Sequence, residues 1–265
     1  MYFFNKNNII SACRNQNGVS LAELAVVIVI IALLTGAVVA GVKMQKASEL
    51  RGIMTDVERL RVAIQGFDDK YNDLPGDMAD AYDYWGASCD GTSGNCNGDG
   101  NAFIEIGTES NSEALRAWQH MDLAGFLEGG YTGVSSKAGN VEAFPGVNVP
   151  STKRLSGGFF LASNDPAGAD VATNHYYPFS AMPVIYLGSF FATSWPSDKF
   201  LTSLEAFSID EKMDDGMVDK GSVYGMYYYN SSWQTSKCIT GTYPNRTYTK
   251  TSAEKECVMY FTITN

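Results

Sequence analysis

The chain is predicted to be an α+β protein, with one long N-terminal helix packed on an antiparallel β-sheet head that has long loops. Three observations carry that expectation. An uncharged apolar run, Leu24 to Val42, passes into a seam of apolar residues spaced at three and four. Four later segments are rich in aromatic and β-branched residues, the composition of strands. The intervening stretches are rich in Gly, Pro, Asn and Asp, which form turns.

The composition bounds the function. Among 265 residues, 45% are hydrophobic and 18% charged, a folding balance rather than a disordered one. The net charge of -10 argues against a nucleic-acid partner, because phosphate contacts need a basic face. Only 2 His are present, which removes most His-based metal and acid–base sites.

The first element is the apolar run. As a helix rising about 1.5 Å per residue, Leu24–Val42 covers roughly 28 Å, close to the hydrocarbon thickness of a bilayer. A buried core helix and a secretory signal are the other readings. A signal core is shorter, about 7–15 residues, and this run continues into Lys43 and Lys46. A membrane span is therefore expected. Basic residues flank it on both sides, Lys6 and Arg14 before, Lys43, Lys46 and Arg51 after, so the positive-inside rule leaves its orientation open. Glu23 stands at the start of the run with no cationic side chain within two helical turns. An ionised group costs about 2.5–3.5 kcal/mol at the bilayer centre and less near the interface. Cutting the chain after Gly18 would create an ammonium on Val19, and a neighbouring copy could lend that ammonium to Glu23.

Gly18-Val19-Ser20-Leu21-Ala22-Glu23-Leu24, followed by Ala25-Val26-Val27-Ile28-Val29-Ile30-Ile31, resembles the cleavage and methylation signature of type IV pilins and type II secretion pseudopilins. The resemblance implies cutting after Gly18 by a prepilin peptidase, N-methylation of Val19, and docking of subunits through Glu23. It also implies inner-membrane insertion, an assembly platform in that membrane, and growth of a helical filament from like or related subunits. Residues 1–18 would be a leader, 19–71 the helix with 24–42 spanning the membrane, and 72–265 a periplasmic or extracellular head. Val19 stands where the family usually has Phe or Met, and the apolar helix has no proline. The resemblance leaves open a pilus, a pseudopilus or an uptake filament, and a major subunit or a minor one acting as an adhesin or binding module.

Beyond the span, Leu50, Ile53, Val57, Leu60, Ile64, Phe67 and Tyr71 recur on one helical face. Packing on the chain's own sheet is favoured over a coiled coil, since the seam is short and much sequence follows. Asp73-Leu74-Pro75-Gly76-Asp77 ends the helix. Glu113–Leu127 reads as a helix with Leu115, Trp118 and Met121 inward. Gly158–Ala162, Pro183–Phe191, Val223–Tyr229 and Val258–Thr264 read as strands. Thr202 and Glu205 have capping-box spacing for another short helix.

Of five cysteines, Cys13 falls in the expected leader, leaving Cys89, Cys96, Cys238 and Cys257. An even number suits an oxidising compartment. Three pairings are possible, and proximity in sequence favours Cys89–Cys96 with Cys238–Cys257. Zinc is disfavoured because no C-x-x-C pair is present. Asn95, Asn97, Asp99 and Asn101 alternate around Gly98 and Gly100, with Glu105 one place early for an EF-hand-like loop. That pattern is either a calcium site or an exposed polar turn. A second acidic run, Asp210, Glu211, Asp214, Asp215 and Asp219, reads as a solvated turn. No nucleophile–base motif, P-loop or dinucleotide fingerprint is present, so no enzymatic activity is expected.

Overall fold

A computed structural model describes residues 18–90, 95–107, 112–135, 141–154, 157–163, 182–190, 198–227, 237–242, 245–251 and 253–263. Residues 1–17 of the expected leader, Cys13 among them, lie outside the described residues. By internal contacts the chain divides into a unit ending at Ala47 and a unit from Ser48 to Asn265. The amphipathic part of the helix belongs to the core of the second unit.

Helix α1, Leu21–Tyr71, is continuous through Gly36 and Gly41. In the first unit its residues are exposed throughout, including Leu24, Ile28, Ile31, Leu34 and Val38. Among the described residues it is the one helix long and apolar enough to cross a membrane. In the second unit the seam turns inward. Ile53, Val57, Leu60, Ile64 and Phe67 are buried in a single core, while Tyr71 packs at its edge.

The second unit is built on a five-stranded antiparallel sheet. Its strands are β1 Gly157–Ser163, β2 Pro183–Ser189, β3 Leu201–Thr202, β4 Val223–Tyr227 and β7 Lys255–Thr262. Strand β7 is central. Along one edge it pairs with β2 through Met259–Thr262 and with β3 through Lys255 and Cys257, and β4 pairs along the other through Cys257–Phe261. A separate two-stranded ribbon joins β5 Ile239–Thr240 to β6 Thr247–Tyr248. Apolar side chains on both faces of β1 and β2 are buried, so these strands read as continuous apolar runs rather than alternating ones.

Among the described residues three further α-helices and a 3-10 turn at Gly86–Ser88 complete the unit. The α-helices are α2 Ala81–Trp85, α3 Glu113–Leu123 and α4 Ser203–Met213. The capping box forms at α4. The Thr202 hydroxyl accepts from the Glu205 amide, and the Glu205 carboxylate accepts from the Thr202 amide at 2.9 Å. Arg61, on the flank of the α1 seam, is buried and ties the helix to the sheet. Its Nε donates to the Thr262 carbonyl at 2.8 Å, and an Nη donates to the Ser222 carbonyl at 3.3 Å. Charge alone would place Arg61 in solvent. Its fork geometry lets it reach both carbonyls at once, the Ser222 carbonyl also accepting from the Thr262 amide at 3.0 Å.

Candidate functional site

The start of α1 carries a capping box of its own. Ser20 precedes the first helical residue, and Glu23 is the third residue of the helix. The Glu23 amide donates to the Ser20 hydroxyl at 3.2 Å. In return Glu23 Oε2 accepts from the Ser20 amide at 2.9 Å and the Ser20 hydroxyl at 3.0 Å. The carboxylate also lies where the helix dipole favours negative charge. Glu23 therefore has a local dipolar partner in its own chain, although it has no cationic one among the described residues. Both bonds fall on Oε2, and Oε1 has no hydrogen-bond partner among the described residues. Gly18 and Val19 precede the cap in exposed, non-helical backbone.

The cysteines pair as Cys89–Cys96 and Cys238–Cys257. Both sulfurs of the first pair are thereby removed as metal ligands, although His120 lies next to them. His120 is fully buried. Its Nδ1 accepts from the Gly76 amide at 3.0 Å and its Nε2 donates to the Cys96 carbonyl at 2.9 Å. Burial pushes its pKa down to about 4. The ring is a neutral clamp between the end of α1, α3 and the disulfide loop. Gly76 is required at this junction, since its φ is +94° and a Cβ there would stand 2.3 Å from the Glu113 carbonyl oxygen. Arg116 braces the same loop. It donates to the Cys89 carbonyl at 3.2 Å and pairs with Asp90 at 2.8 Å.

The five residues of the calcium-like pattern do not all face one point. Asn95 is exposed, and Asn97 Oδ1 accepts from the Tyr82 amide at the start of α2. Asp99, Asn101 and Glu105 do come together, but the Asn101 amide nitrogen sits between the two carboxylates, 3.0 Å from Asp99 and 2.7 Å from Glu105. Two carboxylates outside the pattern organise the loop. Asp77 accepts from the Gly100, Asn101 and Ala102 amides, and Glu113 accepts from the Asp99 and Glu105 amides. Asp77, Asp99 and Glu113 each bring one carboxylate oxygen within 4.8 Å of the others. Burial raises Glu113 to about 8, so that it shares a proton with Glu105. Asp77 and Glu113 are far from the pattern in sequence, and no spacing rule links them to it.

The second acidic run is not a solvated turn throughout. Asp210 is buried and accepts from the Tyr248 hydroxyl at 2.7 Å and the Gly216 amide at 3.0 Å. Asp219 is buried in an ion pair with Arg246. Asp214 accepts from the Val223 amide at 3.1 Å and so starts β4. These carboxylates shape the turn between α4 and β4.

A family model described as the prokaryotic N-terminal methylation motif matches residues 13–39. No curated protein and no solved structure matches the chain. The matched segment contains Gly18, Val19, the Ser20–Glu23 box and most of the exposed apolar helix. The chain thus carries the type IV pilin and pseudopilin signature at its N-terminus, and that motif supports a pilin-like structural subunit held at the membrane.

Proposed function

We propose that the protein is the precursor of a subunit of a type IV pilus or type II secretion pseudopilus. The observation that carries this reading is the joining of the matched motif to an exposed apolar helix whose first turn holds a half-used carboxylate. A prepilin peptidase cuts after Gly18, and the freed Val19 becomes the N-methylated terminus. The helix rests in the inner membrane with the head in the periplasm, a placement that the two disulfides favour. On assembly, the helix leaves lipid for a bundle of equivalent helices. Lipid and bundle are about equally apolar, so burial alone does not drive the transfer, and close packing with polar pairing must. Pairing of Glu23 Oε1 with the terminal ammonium of a neighbour supplies such a pair and sets the axial register. A second reading is a minor subunit acting as a binding module, favoured by the size of the 72–265 head. Its stoichiometry in purified filaments separates the two.

Mass spectrometry of the subunit from native filaments tests the proposal. A terminus at Val19, with one added methyl group, is expected. An intact Met1 or a different cut point overturns it.

A further inference from the structure

The residues leading into β6 carry a further pattern. Asn245-Arg246-Thr247 is an N-x-T sequence, the acceptor pattern for asparagine-linked sugar. Three residues often match by chance, so the way the fold presents them decides. Exposure alternates along the segment. Asn245 and Thr247 are exposed, Arg246 is half-buried and Tyr248 is buried, the period of two of an extended chain. Two inward contacts enforce it. Arg246 Nε donates to Asp219 Oδ1 at 2.7 Å, and the Arg246 amide donates to Asp219 Oδ2 at 2.9 Å. The Tyr248 hydroxyl donates to Asp210 at 2.7 Å. The acceptor carboxamide and the hydroxyl two residues on are thereby turned to solvent together.

The side chain of Asn245 also stands apart from other asparagines in loops of this unit. Asn97 accepts from the Tyr82 amide, Asn101 bridges Asp99 and Glu105, and Asn148 donates to the Val134 and Glu142 carbonyls. Those carboxamides brace their own loops. The Asn245 carboxamide and the Thr247 hydroxyl make no hydrogen bond among the described residues. The turn is held by backbone instead, with the Asn245 amide donating to the Thr242 carbonyl at 2.9 Å and Thr247 paired with Thr240. Just before β5, Cys238 is bonded to Cys257, which suits a compartment outside the cytoplasm.

We propose that Asn245 is a glycosylation site that takes an oligosaccharide from a lipid-linked donor. The donor is a polyprenyl pyrophosphate, and a membrane transferase joins it to the acceptor. Asn245 Nδ2 attacks the anomeric carbon, and a C–N bond forms. The C–O bond to pyrophosphate breaks with its electron pair, and Nδ2 gives one proton to a base of the transferase. The site rests on the periplasmic placement of the second unit and not on filament assembly.

The test is peptide mapping by mass spectrometry of the subunit from membranes of its native host. One oligosaccharide is expected on the peptide that contains Asn245. Asn230-Ser231-Ser232 matches the same pattern and lies outside the described residues, and mapping separates the two positions. Asn245→Gln and Thr247→Ala should each remove the sugar from that peptide completely, and Thr247→Ser should keep it. Both positions are exposed, so the variants should fold as the native chain does. A bare Asn245 in native material, or a sugar that survives Thr247→Ala, overturns the assignment. The same digest reports whether a peptide begins at Val19, so failure of the cut after Gly18 is seen separately.

Discussion

Ser20 donates two hydrogen bonds to a single oxygen of Glu23, one from its amide at 2.9 Å and one from its hydroxyl at 3.0 Å. The cap and the proposed docking contact therefore use different oxygens of one carboxylate, and substitution can separate them. Glu23→Gln keeps an acceptor for Ser20 and removes the charge. It is expected to be cut normally and to reduce filament yield about tenfold or more, as loss of a buried charge pair would. Ser20→Ala keeps the charge and loosens the first turn, at about 1 kcal/mol for a lost cap, with a smaller loss of filament. Immunoblots for processing and yields of sheared filaments read both. Equal yields for Glu23→Gln and the native chain would remove the docking role.

Arg61 carries the junction between α1 and the sheet. Its contact with Glu58 is half in solvent and contributes little. Its bonds to the Thr262 and Ser222 carbonyls are buried. Arg61→Ala removes the guanidinium bonds to both carbonyls, although Ser222 keeps the Thr262 amide, and opens a gap beside the core, so a loss of about 2–4 kcal/mol is expected. Glu58→Ala should cost under about 1 kcal/mol. Urea unfolding of the two variants decides it, and similar midpoints would show that the buried bonds are not what holds the helix.

Much of this architecture is legible in sequence, for reasons of period. The seam Ile53, Val57, Leu60, Ile64, Phe67 repeats often enough to define a face, and it is buried as spacing requires. Leu115, Trp118 and Met121 do the same for α3. The four apolar segments contain β1, β2, β4 and β7, and the expected ends at Phe191, Tyr229 and Thr264 lie outside the described residues. Helix α3 stops at Leu123, short of the expected Leu127, since Gly125 takes a positive φ of 81°. Short elements have no period to read, and α2, β3, β5 and β6 arise from tertiary pairing. The box at Ser20 and Glu23 is different. Its S-x-x-E spacing is a capping signal in plain view, and weighing Glu23 only as an ion passes over it. Asp77 and Glu113 gain their roles from backbone amides outside their own turn, so local patterns carry no trace of them.

Cross-links should differ in value. Cys89–Cys96 spans 7 residues and Cys238–Cys257 spans 19. On the chain-entropy account the shorter loop contributes about 2 kcal/mol and the longer about 3 kcal/mol. The second bond also anchors the central strand β7 to the segment that leads into β5. Replacing Cys238 and Cys257 with Ser should lower Tm more than replacing Cys89 and Cys96. The reverse order would place the stabilising weight on the His120 clamp and not on loop length.

Opposed titrations overlap between about pH 4 and pH 8, and the two raised carboxyls outweigh the one lowered imidazole. Burial raises Asp210 to about 7, reinforced by Asp215 and Asp214 and opposed by bonds from Tyr248 and Gly216. The unfolded chain titrates this group near about 3.9, so the folded state holds the extra proton. Its stabilising contribution is full below that value and is lost as pH rises toward about 7. Glu113, raised to about 8, acts in the same direction. His120 works in reverse. Its folded value of about 4 lies below the unfolded value, because burial and, to a smaller extent, Arg116 disfavour the charged ring. A proton on Nδ1 would also displace the Gly76 amide. That contribution is full above about 6.5 and is lost as pH falls toward the folded value. Asp210→Asn should therefore make Tm fall less steeply with rising pH, between about pH 4 and 7, than it does in the native chain. Parallel profiles for the variant and the native chain from pH 4 to 8 would mean that Asp210 is ionised in the fold and that Tyr248 stabilises the anion.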